Sequence, residues 1–235
     1  MSDDQSRAAA SPEFLIHPDK CGRSYMPNYN WGSEWLSDRH RRIADAVWDI
    51  PGWLSEEDSQ KLYELAYFAD GPILEIGTYC GRSTVIMATA IADRGARGYL
   101  VSLDIDGQML ALAQRFIRKH GVQEHVLLVS DSIDKFLRSS PKFRPNLVFI
   151  DGDHSAADVE ADLEWLAHGV NSGTVMIFHD YVPSSLPVTD GFGVSPEPIE
   201  VAQAVNDSWV PSFTEFAGTF GCSAVFMVSA PPPDL

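Results

Sequence analysis

Leu74-Glu75-Ile76-Gly77-Thr78-Tyr79-Cys80-Gly81-Arg82-Ser83 is a short apolar run closed by an acid and two glycines, and a helix-forming stretch from Thr84 to Ala92 follows it directly. A four- or five-residue apolar run flanked by a turn reads as a strand buried on both faces. Gly77 and Gly81 permit a tight turn and a close approach of backbone. The helix start, with the Ser83 hydroxyl, presents donors to a small anionic group such as an amino-acid carboxylate. The loop is neither the GxGxxG of a dinucleotide fold nor the GxxxxGK[ST] of a phosphate-binding loop, since no Lys follows Gly81.

On both sides of this stretch the pattern repeats. Apolar runs at Pro72 to Ile76, Tyr99 to Leu103, Val126 to Val129, Leu147 to Ile150 and Thr174 to Phe178 alternate with helix-period segments, which predicts an α/β domain with a doubly wound, mostly parallel sheet. Weaker strand signals lie at Phe213 to Phe216 and Ser223 to Val228. Ser55 with Asp58 opens a helix whose Leu62, Leu65 and Ala69 face the first strand, and Ser155 opens another that carries Val159, Leu163 and Leu166 on one face and stops at Gly169. Ile199, Ala202 and Val205 form a further covering face.

Five strands run into carboxylates: Glu75, Asp104, Asp131, Asp151 and Asp180. Ligands of an open parallel sheet bind beyond the carboxyl ends of its strands, so these acids are expected to meet around one crevice. Such a row repels a pyrophosphate and holds a cation, a metal, or ribose hydroxyls and an exocyclic amine. Asp104, at the end of the second strand, has the place and spacing of an acid that takes a ribose diol.

The glycine loop, Asp104 and Ile150-Asp151-Gly152-Asp153-His154 together resemble the class I S-adenosylmethionine-dependent methyltransferases. Within them the chain is similar to the O-methyltransferases related to catechol O-methyltransferase and to antibiotic-sugar enzymes of the macrocin O-methyltransferase type, over about Ser55 to Tyr181. The resemblance implies a seven-stranded sheet of order 3-2-1-4-5-7-6 with the seventh strand antiparallel, and methyl transfer to a hydroxyl of a small molecule. It implies that Glu75, Gly77, Tyr79, Gly81 and Ser83 surround the methionine part of S-adenosylmethionine, Asp104 the ribose, and Asp131 with Ser132 the adenine.

Asp151, His154, His179 and Asp180 lie where such a transfer takes place. An imidazole that titrates near neutrality suits a general base, which makes His154, with Asp151 beside it, the expected catalytic pair. Asp151 and Asp180 could hold Mg²⁺ or Mn²⁺, with His179 as a third ligand. Relatives carry an acid pair or Asp-Asn after the fifth strand where this chain has His179-Asp180, and imidazole suits manganese, iron or zinc better than magnesium. The residues leave open a metal-independent enzyme that uses His154 alone, and a cofactor-binding protein of the same fold without turnover. A nicotinamide dehydrogenase is disfavoured by the missing GxGxxG and by the acids.

The 235 residues carry 17 Lys+Arg against 33 Asp+Glu, a formal charge of −16 that argues against non-specific binding to nucleic acid or to anionic lipid. No apolar run reaches the roughly 18 to 20 residues of a membrane helix, and the acidic start lacks a signal peptide's apolar stretch, so a cytoplasmic protein with no membrane partner is expected. Cys21, Cys80 and Cys222 have no paired spacing and read as reduced thiols, Cys80 as a packing residue. Residues 1–50 are expected to form a tail and an aromatic-rich appendage holding Tyr25, Met26, Tyr29, Trp31, Trp35 and Trp48, residues 51–230 the methyltransferase domain, and residues 231–235 a tail. Tyr181 to Pro198, with four prolines, reads as a long loop beside the site. Neither the acceptor nor self-assembly is fixed by the sequence.

Overall fold

The computed structural model describes residues 43, 46–95, 98–182 and 199–232. Helix α1 (Glu56–Phe68) leads into β1 (Ile73–Ile76), α2 (Arg82–Arg94), β2 (Leu100–Leu103), α3 (Gly107–Lys119) and β3 (Val126–Val129). There follow α4 (Ile133–Ser139), β4 (Leu147–Ile150), α5 (Ala156–Gly169), β5 (Val175–Phe178), α6 (Ile199–Asp207), the short α7 (Val210–Phe213), β6 (Thr214–Phe220) and β7 (Ser223–Val228). The sheet order is β3-β2-β1-β4-β5-β7-β6, as the resemblance implied. β1 to β5 pair in parallel, and β7 runs antiparallel between β5 and β6.

The apolar runs are continuous because both faces of the sheet are covered. Ile73, Phe149 and Ile177 point to one side, where they pack with Leu62, Leu65, Val85, Ile86 and Ile117 of α1, α2 and α3. Leu74, Val148 and Met176 point to the other, against Phe136, Val159, Leu163, Leu166 and Val205 of α4, α5 and α6. Packing on the first face extends ahead of residue 51, since Ile43, Val47 and Ile50 belong to that core. The expected aromatic residues from Tyr25 to Trp35 and the loop from residue 183 to 198 lie outside the described residues.

Three local expectations change. β6 is longer than Phe213 to Phe216, running through Phe220 with an irregularity between Phe216 and Gly218, so its weak alternation reflects a bulged edge strand. The turn before it is helical over Val210–Phe213, a segment not anticipated. Gly169 does not stop α5 in a left-handed cap; it is the last helical residue, and the cap is Val170 with extended backbone. Among the described residues no helix is long and apolar enough to cross a membrane.

Candidate active site

The strand register sorts the acids. Ile76, Leu103 and Ile150 are neighbours across β1, β2 and β4, and Ile150 pairs with Phe178 of β5. The residues that follow them, Gly77, Asp104, Asp151 and His179, therefore form one row at the strand ends. Asp180 lies one residue further along its strand, and Asp131 lies two residues beyond the end of β3. Glu75 falls short of the row, inside β1 and opposite Ser102. It is completely buried and its carboxylate accepts hydrogen bonds from Ser83, Thr84 and Ser102, so it sits beneath the cleft and not on its surface. Burial pushes its carboxyl up to about 7 against the pull of those three hydroxyls.

Above the row is a cavity of about 580 Å³, of the size that holds a cofactor and a small substrate. Its floor depends on Gly77, where φ is +95° and an added Cβ would fall 1.9 Å from the Asp151 carbonyl oxygen. Tyr79, also left-handed at φ +45°, aims its N–H at Asp104 Oδ2 over 2.7 Å, while Asp104 Oδ1 accepts from the Asp106 N–H at 2.8 Å. Asp104 is thereby fixed, and each oxygen keeps a lone pair for a ligand hydroxyl. Asp131 and Ser132 line the cavity at the start of α4, and Ser83 lines it at the start of α2. Gly81 lies just behind, packed on Ala113.

At the far side His154 sits between two carboxylates, Nε2 at 3.5 Å from Asp151 Oδ1 and Nδ1 at 3.3 Å from Asp180 Oδ2. The bond to Asp151 raises the imidazole above its ordinary value. Burial would raise Asp151, but His179 and His154 together hold it at about 2. His179 is 2 % exposed, and its Nδ1 lies 3.0 Å from Asp151 Oδ1 and 3.3 Å from Asp180 Oδ2. Those oxygens are near enough, yet Nδ1 makes no aligned hydrogen bond among the described residues. Burial would lower this imidazole, but Asp151, with Asp180 and Cys222, holds it well above its ordinary value. A ring nitrogen beside two carboxylates is a donor set for a divalent cation with some affinity for imidazole.

The segment matching a known family is residues 74–181, and the family's description is methyltransferase domain. That segment is similar to the methyltransferase domain over 108 of the 235 residues. A solved O-methyltransferase from Bacillus cereus in complex with S-adenosylhomocysteine is similar at TM-score 0.58 and 20% identity, over 84% of this chain and 91% of that one. TomG, the O-methyltransferase from Streptomyces achromogenes involved in tomaymycin synthesis, in complex with S-adenosylmethionine, is similar at TM-score 0.56 and 21% identity, over 84% and 91%. Identities this low establish the fold. Among curated sequences the Homo sapiens transmembrane O-methyltransferase is 39% identical over 64 residues, 26% of this chain and 21% of that protein. The match thus spans about a fifth of that relative's length.

Within this fold the structure brings Gly77, Tyr79, Ser83, Asp104, Asp131, Ser132, Asp151, His154, His179 and Asp180 to one cavity, leaving Glu75 and Gly81 behind its wall. Sequence reasoning missed seven contributors. Pro51 to Leu54 form one wall, where Trp53 meets Tyr79 with ring centroids 5.4 Å apart. Arg82 ties that wall to α2 by donating from Nε to the Ile50 carbonyl at 2.7 Å. Asp158 and Asp162, one turn apart on α5, line the other side. Burial, followed by the charges of Asp158, Asp134 and Asp153, lifts Asp162 to about 7. Their four-residue spacing was readable, but only the fold shows that this face of α5 borders the cavity.

Proposed function

We propose that the chain is an S-adenosylmethionine-dependent O-methyltransferase that acts on a hydroxyl of a small molecule, whether a sugar, a catechol-like compound or another natural product. The observation that carries this reading is His154, set between Asp151 and Asp180 at the end of a cavity whose other end offers the fixed carboxylate of Asp104. When bound, S-adenosylmethionine supplies a methyl group on a sulfonium. Asp104 receives the ribose hydroxyls, the turn from Gly77 to Ser83 receives the methionine part, and Asp131 with Ser132 borders the adenine. The sulfonium and amine are cationic, which suits a cavity lined by seven aspartates. With one ring nitrogen held by its carboxylate, His154 takes the proton of the acceptor hydroxyl at the other, where the hydroxyl replaces the second carboxylate, and the imidazolium so formed is stabilised by the charges of Asp151 and Asp180. Trp53 and Tyr79 give the acceptor an aromatic wall and keep water away from it.

Asp151, Asp180 and His179 Nδ1 fit a divalent cation, which would lower the pKa of a bound hydroxyl. A metal-independent reaction is also supported by one observation, the double carboxylate clasp that already places His154 without any ion. The same reading expects a cytoplasmic enzyme with a diffusible acceptor, in keeping with the charge of −16. Calorimetry with S-adenosylhomocysteine, followed by homocysteine release over a panel of hydroxylated sugars, catechols and polyketides with and without EDTA, tests it. Binding of S-adenosylhomocysteine and turnover of one panel class are expected. Tight NADH binding with no response to S-adenosylhomocysteine would overturn the reading, and turnover unchanged by EDTA would leave the metal-independent form.

A further inference from the structure

Beneath the candidate cation site is a second layer of polar groups that methyl transfer does not itself require. Asp58 of α1 is 3 % exposed and its carboxylate is ringed by donors. Oδ1 accepts from the Ser223 N–H at 3.1 Å and the Ser223 hydroxyl at 2.6 Å, and Oδ2 from the Ser55 hydroxyl at 2.5 Å. Gly221, at φ +60°, leaves the room for this, since a Cβ there would come within 2.4 Å of Asp58 Oδ2. The Cys222 thiol lies 3.5 Å from Asp58 Oδ2 and 3.2 Å from His179 Nε2. A thiol has one proton, and a carboxylate can only accept. The S–H therefore goes to Asp58, and the sulphur accepts from the Nε2–H of His179. This keeps a proton on Nε2 and leaves Nδ1, 3.0 Å from Asp151 Oδ1 and 3.3 Å from Asp180 Oδ2, as the ring nitrogen on the side of the two carboxylates.

We propose that Cys222 is a positioning residue: its thiol, anchored on Asp58, fixes His179 in the Nε2–H tautomer and so turns Nδ1 into a ligand for a divalent cation held with Asp151 and Asp180. The proposal rests on the cation reading above. Partners behind a metal-bound histidine set its tautomer and orientation, and their loss weakens metal binding by about 10- to 100-fold. The test is Mn²⁺ binding to the full chain, followed by the electron paramagnetic resonance signal of free Mn²⁺, beside calorimetry with S-adenosylhomocysteine. Cys222→Ala should weaken Mn²⁺ binding by about 10- to 100-fold and leave S-adenosylhomocysteine affinity within about two-fold, while Cys222→Ser, which can both donate and accept, restores most of the loss. If Cys222→Ala does not fold, Cys222→Val fills the volume without a polar atom and takes its place. Mn²⁺ affinity equal to the parent's in the apolar variant, or an equal loss of S-adenosylhomocysteine affinity, would overturn the proposal and spare the cation reading. A parent chain that binds S-adenosylhomocysteine but no Mn²⁺ would overturn both.

Discussion

Glu75→Gln isolates the charge that the sheet encloses most completely. In the unfolded chain this carboxyl titrates at its ordinary 4.5, and in the folded chain, where burial outweighs the hydroxyls of Ser102, Ser83 and Thr84, at about 7. Between those values the folded state binds the extra proton, so stability from this group is complete below pH 4.5 and is lost as pH rises through about 7. The displacement corresponds to about 3 kcal/mol, a large part of the roughly 5–15 kcal/mol by which a domain is stable. Gln keeps the shape and an acceptor oxygen and carries no charge at any pH. Urea unfolding from pH 4.5 to 8 should show the parent losing about 3 kcal/mol more than the variant over that range, with Asp162, also raised, contributing equally to both. Parallel stability curves for parent and variant would refute the placement of an ionisable, water-free Glu75 under β1.

At the cleft, Asp104→Ala should weaken S-adenosylhomocysteine binding ten-fold or more by calorimetry, since a charge-assisted hydrogen bond is worth about 1.5–3 kcal/mol; unchanged affinity would remove Asp104 from the ribose site. His154→Ala should lower turnover by about 10²- to 10⁴-fold while S-adenosylhomocysteine affinity stays within about two-fold. Full turnover with an unaltered pH profile would show that His154 is not the base. Gly77→Ala should abolish S-adenosylhomocysteine binding and lower the melting temperature, because the new Cβ meets the Asp151 carbonyl oxygen at 1.9 Å and φ is +95°. Binding at the parent's affinity would mean that the floor is not as rigid as its geometry requires.

The parallel sheet was legible because its strands are buried on both faces and stand out as unbroken apolar runs between capped helices. The ends of those strands were legible for the same reason, so Asp104, Asp151 and His154 could be placed at a shared crevice. Glu75 looks like a member of that row in the sequence, but register decides otherwise: Ile76 is the last paired residue of β1, and Glu75 precedes it on the face that turns toward Ser102. Asp58 presented itself only as half of a capping box with Ser55, which it does form. Its second set of partners is 164 and 165 residues away, and no local pattern carries a contact of that separation. Trp53 was hidden similarly, since an aromatic ahead of a helix says nothing about the ring it will meet.

The link between Asp58 and the start of β7 also orders events in time. The strands β1, β2 and β3, with Asp131 and Ser132 after them, carry the residues proposed for the nucleoside and have all been made by Ser132. Cys222 and Ser223 emerge from synthesis almost a hundred residues later, and domains begin to fold while still being made. Asp58 and His179 therefore wait longest for their partners, and a carboxyl-terminally shortened polypeptide leaves His179 without the thiol behind it.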